Sequence, residues 1–564
     1  MKVVIIGGVA GGATAAARLR RLDESAEIVV LERSGYVSYA NCGLPYYVGG
    51  VIRNKAALTL QTPQSFRARF NIDVRVHSEA VAIDRARKVV RVREVQGGRE
   101  YEESYDKLIL SPGAKAFVPP VAGADGARVF TLRTVEDAFR IASFVEENGP
   151  ARAVVVGGGF VGLEMAENLA ARGLDVQLCE GTGQVLPQLD EDMACFVHAR
   201  LRAAGIGLHF GAKVLGFAED GAGIRVRTEA GELAADLAVL AVGVVPDTGL
   251  AAAAGLETGT RGAIVVDGHM RTSDADIYAV GDAVLVKNAV TGAEGSFALA
   301  GPANRQGRIA ADNVCGLSTL YRGAQGSSVV KVFDMTCAFT GLSERAAKAA
   351  GVAYDRVVLF SPDHATYYPG AQNMTLKVLF SPADGRILGA QAVGFAGTEK
   401  RIDVLAACIR ARMTAQDLQA IDLCYAPPYS SAKDPVNMAG YVIENVRGGC
   451  KQFHWQDLPA VYADKDAVLL DVRTDAEFAA GHFAGALHIP VDELRSRMNE
   501  LDKSKKIYVN CQSGLRSYIA CRMLAGRGFD CYNFSGGYRF YAAVAENAAA
   551  EGRACHPCGI PVQE

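Results

Sequence analysis

Two stretches of this chain are built alike. Val3-Val-Ile-Ile6 runs into Gly7-Gly-Val-Ala-Gly-Gly12 and an alanine-rich segment from Ala13 to Leu22, while Val154-Val-Val156 runs into Gly157-Gly-Gly-Phe-Val-Gly162 and a second helix. Each reads as a buried parallel strand, a glycine turn and a helix, and each is followed by a strand that ends in an acid, Glu32 in the first copy and Glu180 in the second. The tight turn and the helix N-terminus present backbone N–H groups to a pyrophosphate, and a carboxylate about 20 residues on accepts from a ribose hydroxyl. Val9 stands at the middle glycine position of the first copy, so that match is weak alone. Recurrence makes it strong, and the chain is expected to be α/β with two Rossmann-like dinucleotide-binding domains. No arginine follows Glu180 directly, and its carboxylate would repel a 2'-phosphate, which favours NADH while leaving NADPH possible.

At 564 residues the chain has room for about three or four domains. A formal net charge of -3 and a pI near 6.4 give no electrostatic reason to expect nucleic acid or an anionic membrane. The apolar run that opens the chain is too short for a membrane span or a signal segment, so the expected location is cytoplasmic. Thirteen scattered cysteines, an odd number without framework spacing, argue for reduced thiols.

Leu108-Ile-Leu-Ser-Pro-Gly-Ala114, Ala241-Val-Gly-Val-Val-Pro-Asp247 and Thr272-Ser-Asp-Ala-Asp-Ile-Tyr-Ala-Val-Gly-Asp282-Ala follow in order. With these motifs the chain resembles the two-dinucleotide flavoprotein disulfide reductases over residues 1 to about 445. The resemblance implies FAD on the first fold, held by Gly7, Ala10, Gly11, Gly12, Glu32, Arg33, Asn41, Ser111, Gly113, Asp282 and Ala283. It implies NADH on the inserted fold, held by Gly157, Gly159, Phe160, Gly162, Glu180 and Gly243. An α+β dimerisation domain should follow, so a homodimer is expected. The expected boundaries are 1–115 with 246–325 for FAD, 116–245 for the nicotinamide and 326–446 for dimerisation, with 447–456 as a linker.

Cys42 lies in Ser38-Tyr-Ala-Asn-Cys-Gly-Leu-Pro-Tyr46, with no second cysteine nearby. A lone thiol beside a flavin must take its oxidising partner from outside, as a mixed disulfide, a persulfide or a sulfenic acid. The segment resembles the single-cysteine branch of the family, which includes coenzyme A disulfide reductases, NADH oxidases and peroxidases, and persulfide reductases. The oxidases and peroxidases carry a histidine in the first glycine loop where this chain has Ala10, which favours thiol exchange. In this branch the thiolate pKa is expected to be lowered by the flavin and by backbone donors.

By the same resemblance Thr14, Arg18, Arg21, Ser38 and Asn41 line a coenzyme A groove. Arg18 and Arg21 share a helix face and would hold phosphates together, or else form a solvated basic stripe. Phe70 stands where some members have a lysine. Tyr367 and Tyr425 match two tyrosines that reach across the dimer to the sulfur site as proton or hydrogen-bond donors, with Tyr368 as an alternative to Tyr367.

From about Asp457 the pattern changes. Val468-Leu-Leu-Asp-Val-Arg473, Gly481-His-Phe-Ala-Gly-Ala-Leu-His-Ile-Pro490 and Ile507-Tyr-Val-Asn-Cys511-Gln-Ser-Gly-Leu-Arg516 resemble a single α/β rhodanese domain, expected over 457–550. That resemblance implies that the loop of Cys511, Gln512, Ser513, Gly514, Leu515 and Arg516 curls its N–H groups around a sulfur-carrying thiolate. Asp471, Arg473 and His482 would be architectural. In the tail, 551–564, Cys555-His-Pro-Cys558 offers three candidate ligands where zinc needs a fourth, so a mobile tail with oxidisable thiols is expected rather than a metal site.

These features together predict an FAD- and NADH-dependent reductase of persulfides, polysulfides or coenzyme A persulfide that releases hydrogen sulfide, with Cys511 relaying sulfane sulfur. Three alternatives remain: a coenzyme A disulfide reductase for thiol balance, an NADH oxidase, and a non-enzymatic sulfur carrier or redox sensor.

Overall fold

The computed structural model describes residues 1–562 except Ala222 and Pro557. It divides into two compact units, Met1–Gly183 with Gly211–Gly326 and Gln184–Phe210 with Ser327–Glu564.

The first unit holds both glycine turns. Its first sheet is parallel, in the order Ile277–Ala279, Lys107–Leu110, Lys2–Ile6, Glu27–Leu31, Asp73–Arg75. Val3, Val4 and Ile5 are fully buried, as a central parallel strand requires when both faces are covered. The helix Ala10–Leu22 buries its small residues Gly11, Gly12, Ala15 and Ala16. They permit a very close crossing with the helix Ala300–Val314, where a Cβ on Gly307 would stand 2.2 Å from the Gly11 carbonyl oxygen. The second parallel sheet places Arg152–Val156 between Asp175–Glu180 and Leu237–Leu240, with Val129–Thr131 beyond the latter.

In the second unit an antiparallel sheet runs Ser328–Val332, Met335–Gly341, Ile387–Gly394, Asn373–Phe380, Asp355–Pro362. The helix Thr398–Ala411 covers it with Ile402, Leu405 and Ile409. A parallel sheet follows, in the order Gln452–Phe453, Asp530–Phe534, Lys506–Asn510, Ala467–Asp471, Leu487–His488. Gln452–Phe453, inside the stretch expected as a linker, supplies its edge strand. The architecture is therefore the mixed α/β one anticipated.

The helix Glu191–Ala203 belongs to the second unit although it follows, in sequence, the strand Asp175–Glu180 of the second glycine-turn fold. Just ahead of and within it, Asp190 and Asp192 meet a fully buried Lys377 at 3.0 and 2.8 Å, and Glu344 shares the same ammonium. Trp455 Nε1 donates to Asp192 at 3.0 Å, and Gln391 donates to Asp190. Burial opposes ionisation of Glu344, but Lys377 and Arg356 beside it hold its carboxyl down at about 2.

The tail, expected as a mobile segment, packs on the second unit through several of its described residues. Val562 N–H donates to Ala554 at 2.9 Å, Ile560 is buried, and Tyr541 Oη donates to the carbonyl of the buried Cys558. Two apolar anchors and a hydrogen-bonded return hold the segment against the last helix. Among the described residues no group of metal-ligating side chains forms, and no helix is long and apolar enough to cross a membrane.

Candidate active sites

The two glycine turns have the same geometry. Gly7 and Gly157 adopt φ of 94° and 106°, where a side chain would be strained, and a Cβ on Gly12 or Gly162 would stand 1.9 Å from the carbonyl oxygen of Gly7 or Gly157. Neither helix that follows has a side-chain N-cap, so first-turn N–H groups are left for an anion. A Cβ on Gly159 would meet nothing within 4 Å, so this middle glycine borders open space, and Val9 takes the equivalent place in the first turn.

Glu32 accepts from Gly8 N–H and Ser34 N–H, both at 2.9 Å, and Glu180 accepts from Gly158 N–H at 2.7 Å and Thr182 N–H at 2.8 Å. Each acid is thus fixed at its strand end by backbone donors. The uncapped helix ends, the glycine clearances and the placed carboxylates fit two dinucleotides.

Asp282 sits in a 3-10 turn, Gly281–Ala283, that Gln306 pins by accepting the Gly281 N–H at 2.7 Å. Its carboxylate accepts from Arg133 at 2.6 Å, and Arg133 also donates to the Ala114 carbonyl. Arg33 pairs with Asp247 at 2.8 Å, while Ser111 N–H donates to Ile6 and Gly113 turns the chain at φ 70°.

Cys42 lies exposed in the turn Asn41–Gly43, just before the short helix Leu44–Val48. That helix packs on Phe160–Ala171, where a Cβ on Gly49 would strike Asn168, and Tyr46 Oη donates to Glu164 at 3.4 Å. Cys42 is thereby brought beside the second fold. Its thiol pKa is raised, not lowered: partial burial pushes it up first and the Glu164 carboxylate adds to this, while Arg133 opposes. The lowering expected at this cysteine is therefore not supplied by the protein's own side chains. Burial pushes Glu164 itself up to about 7.

Above that pH the Glu164 charge disfavours the Cys42 thiolate, so Glu164→Gln is expected to speed alkylation at Cys42. Near pH 8 the gain should be about two- to threefold, fading below pH 7 where Glu164 already holds its proton. Peptide mapping of iodoacetamide labelling against pH reads this directly. An unchanged profile would remove Glu164 from the electrostatics of Cys42.

The expected coenzyme A groove is only partly assembled. Arg18 does not stand free with Arg21, because its Nε donates to Asp312 at 2.6 Å, while Arg21 is exposed. Between them Arg20 turns inward and donates to backbone carbonyls, among them Phe70 and Ala26. Thr14 donates to Asn304. Ser38 holds a left-handed φ of 48°, fixed by hydrogen bonds to Gly8 and from Leu60.

In the second unit the hydroxyls of Tyr367 and Tyr425 hydrogen-bond each other on an exposed surface, whereas Tyr368 packs edge-on against His364. Cys511, almost fully buried, accepts from Gly514 N–H at 3.1 Å and Ser517 Oγ at 3.2 Å. Arg516 forms a two-pronged pair with Glu477 at 2.7 and 2.6 Å, which holds the Glu477 carboxyl down at about 2. Arg473 is buried against Asp471 and reaches Gln512 Oε1 at 3.3 Å, and His482 stacks on Phe478. Ser513 and Leu515 complete the loop, with Leu515 exposed at the helix start.

Tyr46, Glu164, Arg133, Glu477 and Ser517 had no assigned role from sequence. Tyr46 closes the Cys42 segment, Glu164 lies two residues past the second turn and Ser517 directly follows the Cys-x-x-Gly-x-Arg run, whereas Arg133 and Glu477 lie in none of these motifs.

Two nucleotide cradles and a thiol at their meeting point define a nucleotide-dependent oxidoreductase. The chain belongs to the pyridine nucleotide-disulphide oxidoreductase family, whose pattern matches residues 1–307, with the family's dimerisation domain at 327–435 and a rhodanese-like domain at 455–543. It is thus a flavoprotein oxidoreductase that uses FAD and a pyridine nucleotide. It is 34% identical over 442 residues to a Staphylococcus haemolyticus coenzyme A disulfide reductase, covering 78% of this chain and 98% of the relative. Reduced Bacillus anthracis CoADR-RHD superposes with TM-score 0.95 at 45% identity, over 97% of this chain and 98% of that one. A NAD-dependent persulfide reductase from A. fulgidus gives TM-score 0.89 at 40% identity, over 96% and 100%.

Proposed function

We propose that the protein reduces persulfide sulfur with NADH at Cys42, and that Cys511 collects the sulfane sulfur in the same chain. The observation that carries this reading is the pairing of one exposed thiol between two nucleotide folds with a second, loop-held thiol 469 residues later. When bound, FAD supplies two-electron exchange between a nicotinamide and sulfur. Cys42, as thiolate, attacks the outer sulfur of an organic persulfide; the donor's S–S bond breaks, its thiolate leaves, and Cys42 carries the persulfide. Two electrons that originate in NADH then cleave the new bond, releasing hydrogen sulfide and restoring the thiolate. Tyr367 and Tyr425, in the dimerisation domain, are read as proton or hydrogen-bond donors to the partner subunit's sulfur site. Cys511 takes sulfur from polysulfide, elemental sulfur equivalents or thiosulfate and hands it to coenzyme A or to Cys42. The A. fulgidus neighbour supports this reading by its name and its near-complete coverage.

The staphylococcal relative favours a second reading, reduction of coenzyme A disulfide, in which the state of Cys42 is a mixed disulfide with coenzyme A. Anaerobic NADH turnover with coenzyme A persulfide and coenzyme A disulfide separates the two. The persulfide is expected to be the better substrate by about tenfold or more in kcat/KM, and a clear preference for the disulfide would overturn the proposal.

A further inference from the structure

Tyr367 and Tyr425 stand 58 residues apart on two loops of the second unit. The first loop lies between the strands Asp355–Pro362 and Asn373–Phe380, the second between the helices Ala415–Ala420 and Pro435–Arg447. Their hydroxyls hydrogen-bond each other, yet Tyr367 is 74% exposed and Tyr425 46%, so water competes for that bond and it contributes little to holding either ring. Whatever fixes the pair must act from beneath the loops.

A buried arginine does so. Arg401, on the helix Thr398–Ala411, is 1% exposed. Its Nη2 donates at 3.0 Å to the carbonyl of Asp363, where the first loop begins, and at 3.0 Å to Ser430 Oγ in the second. The same nitrogen meets the Asp434 carboxylate at 3.0 Å, and Ser430 Oγ donates to that carboxylate at 2.7 Å. Each anchor point is itself fixed: the Asp363 carboxylate accepts from the N–H groups of His364 and Gln372, and the N–H groups of Tyr429 and Ser430 donate to the Ala426 carbonyl. Ala365 N–H donates to the Pro427 carbonyl at 3.2 Å, which stitches one loop to the other. Gly397, at φ 62°, leaves room for the guanidinium, since a Cβ there would stand 2.2 Å from Arg401 Nη1.

A buried ion pair adds little net stability over an apolar pair of the same volume, whereas a guanidinium supplies a planar fork of donors with fixed directions. Geometry is therefore what Arg401 offers. We infer that Arg401 is the positioning residue of the tyrosine pair: it holds the two loops in the register that sets Tyr367 Oη beside Tyr425 Oη, so that both hydroxyls are presented together. The inference rests on reading the pair as donors to the partner subunit's sulfur site. Arg401 itself meets no substrate, and its effect passes through the two rings. A lysine would keep the charge against Asp434 but cannot reproduce the fork that joins Asp363 to Ser430.

Anaerobic NADH oxidation by the full-length protein is followed with whichever of coenzyme A persulfide and coenzyme A disulfide it turns over faster. Four proteins are compared: wild type, Arg401→Lys, a pair variant carrying Tyr367→Phe and Tyr425→Phe, and the combination of all three substitutions. The pair variant is expected to lose about a hundredfold in kcat/KM, and Arg401→Lys about tenfold. Added to the pair variant, Arg401→Lys should cost less than about twofold more, because the groups it positions are already gone. Arg401→Lys at the wild-type rate would overturn the assignment, and so would the same loss in both backgrounds, the mark of a structural role. A pair variant at the wild-type rate would instead remove the donor role of the tyrosines, and the assignment falls with it. Ser430→Ala keeps both charges and removes the hydroxyl between Arg401 and Asp434, so it decides the matter should Arg401→Lys fail to fold. A loss of about threefold in the wild-type background alone is then expected, and no loss, or an equal loss in both backgrounds, overturns the assignment.

Discussion

Cys42→Ser is expected to abolish NADH-dependent release of sulfide from every persulfide, a loss of about three orders of magnitude or more, as when an enzyme's nucleophile is removed. A serine hydroxyl cannot form the S–S bond in which sulfur is held, and no second cysteine stands within the Ser38–Tyr46 segment to replace it. Cys511→Ser should behave differently. Small persulfides that reach Cys42 unaided are expected to turn over at near wild-type rates, whereas polysulfide and other bulkier donors slow. Anaerobic NADH oxidation with both donor types checks this, and equal loss in the two variants would defeat the division of labour. The raised thiol pKa at Cys42 adds a condition: activity limited by the thiolate should climb with pH until that pKa is passed.

Lys377→Met should cost about 3–5 kcal/mol of stability in the second unit, because it leaves Asp190, Asp192 and Glu344 buried around a missing cation. Trp455, the chain's one tryptophan, donates to Asp192 and is buried, so its fluorescence reports unfolding of this cluster during a urea titration. In the wild type the depressed Glu344 carboxyl contributes stability that is full above its unfolded pKa near 4.5 and lost as pH falls toward about 2. The variant inverts this. Without the ammonium the folded carboxyls hold protons more tightly than the unfolded ones, so its deficit should be largest at neutral pH and shrink in acid. A deficit that ignores pH would mean that lost packing, not stranded charge, is the cause.

The fold was legible wherever function imposes a local pattern. Gly7 to Gly12, Gly157 to Gly162 and Cys511 to Arg516 each need a particular backbone within a few residues, and that need is written in adjacent letters. What escaped was decided by distant partners. Arg18 looked available beside Arg21 until Asp312, 294 residues away, was folded against it. Glu164 acquires its connection to Cys42 through Tyr46, which is 118 residues away from it. The allegiance of Glu191–Ala203 depends on Lys377, Trp455 and Asn547, none of which its own amphipathic pattern names.

That helix also sets a timetable for making the protein. Lys377 follows Asp192 by 185 residues and Trp455 follows it by 263, so at roughly 5–20 residues per second the ribosome delivers the last of these about 13 to 50 seconds after the helix. Until Lys377 emerges the two aspartates lack the cation that answers their charge when buried, and until Trp455 follows Asp192 lacks its indole donor. The second unit must therefore close after most of the chain has been synthesised, and a nascent chain halted before Lys377 should expose Glu191–Ala203 to proteases and chaperones while the glycine turns behind it are already complete.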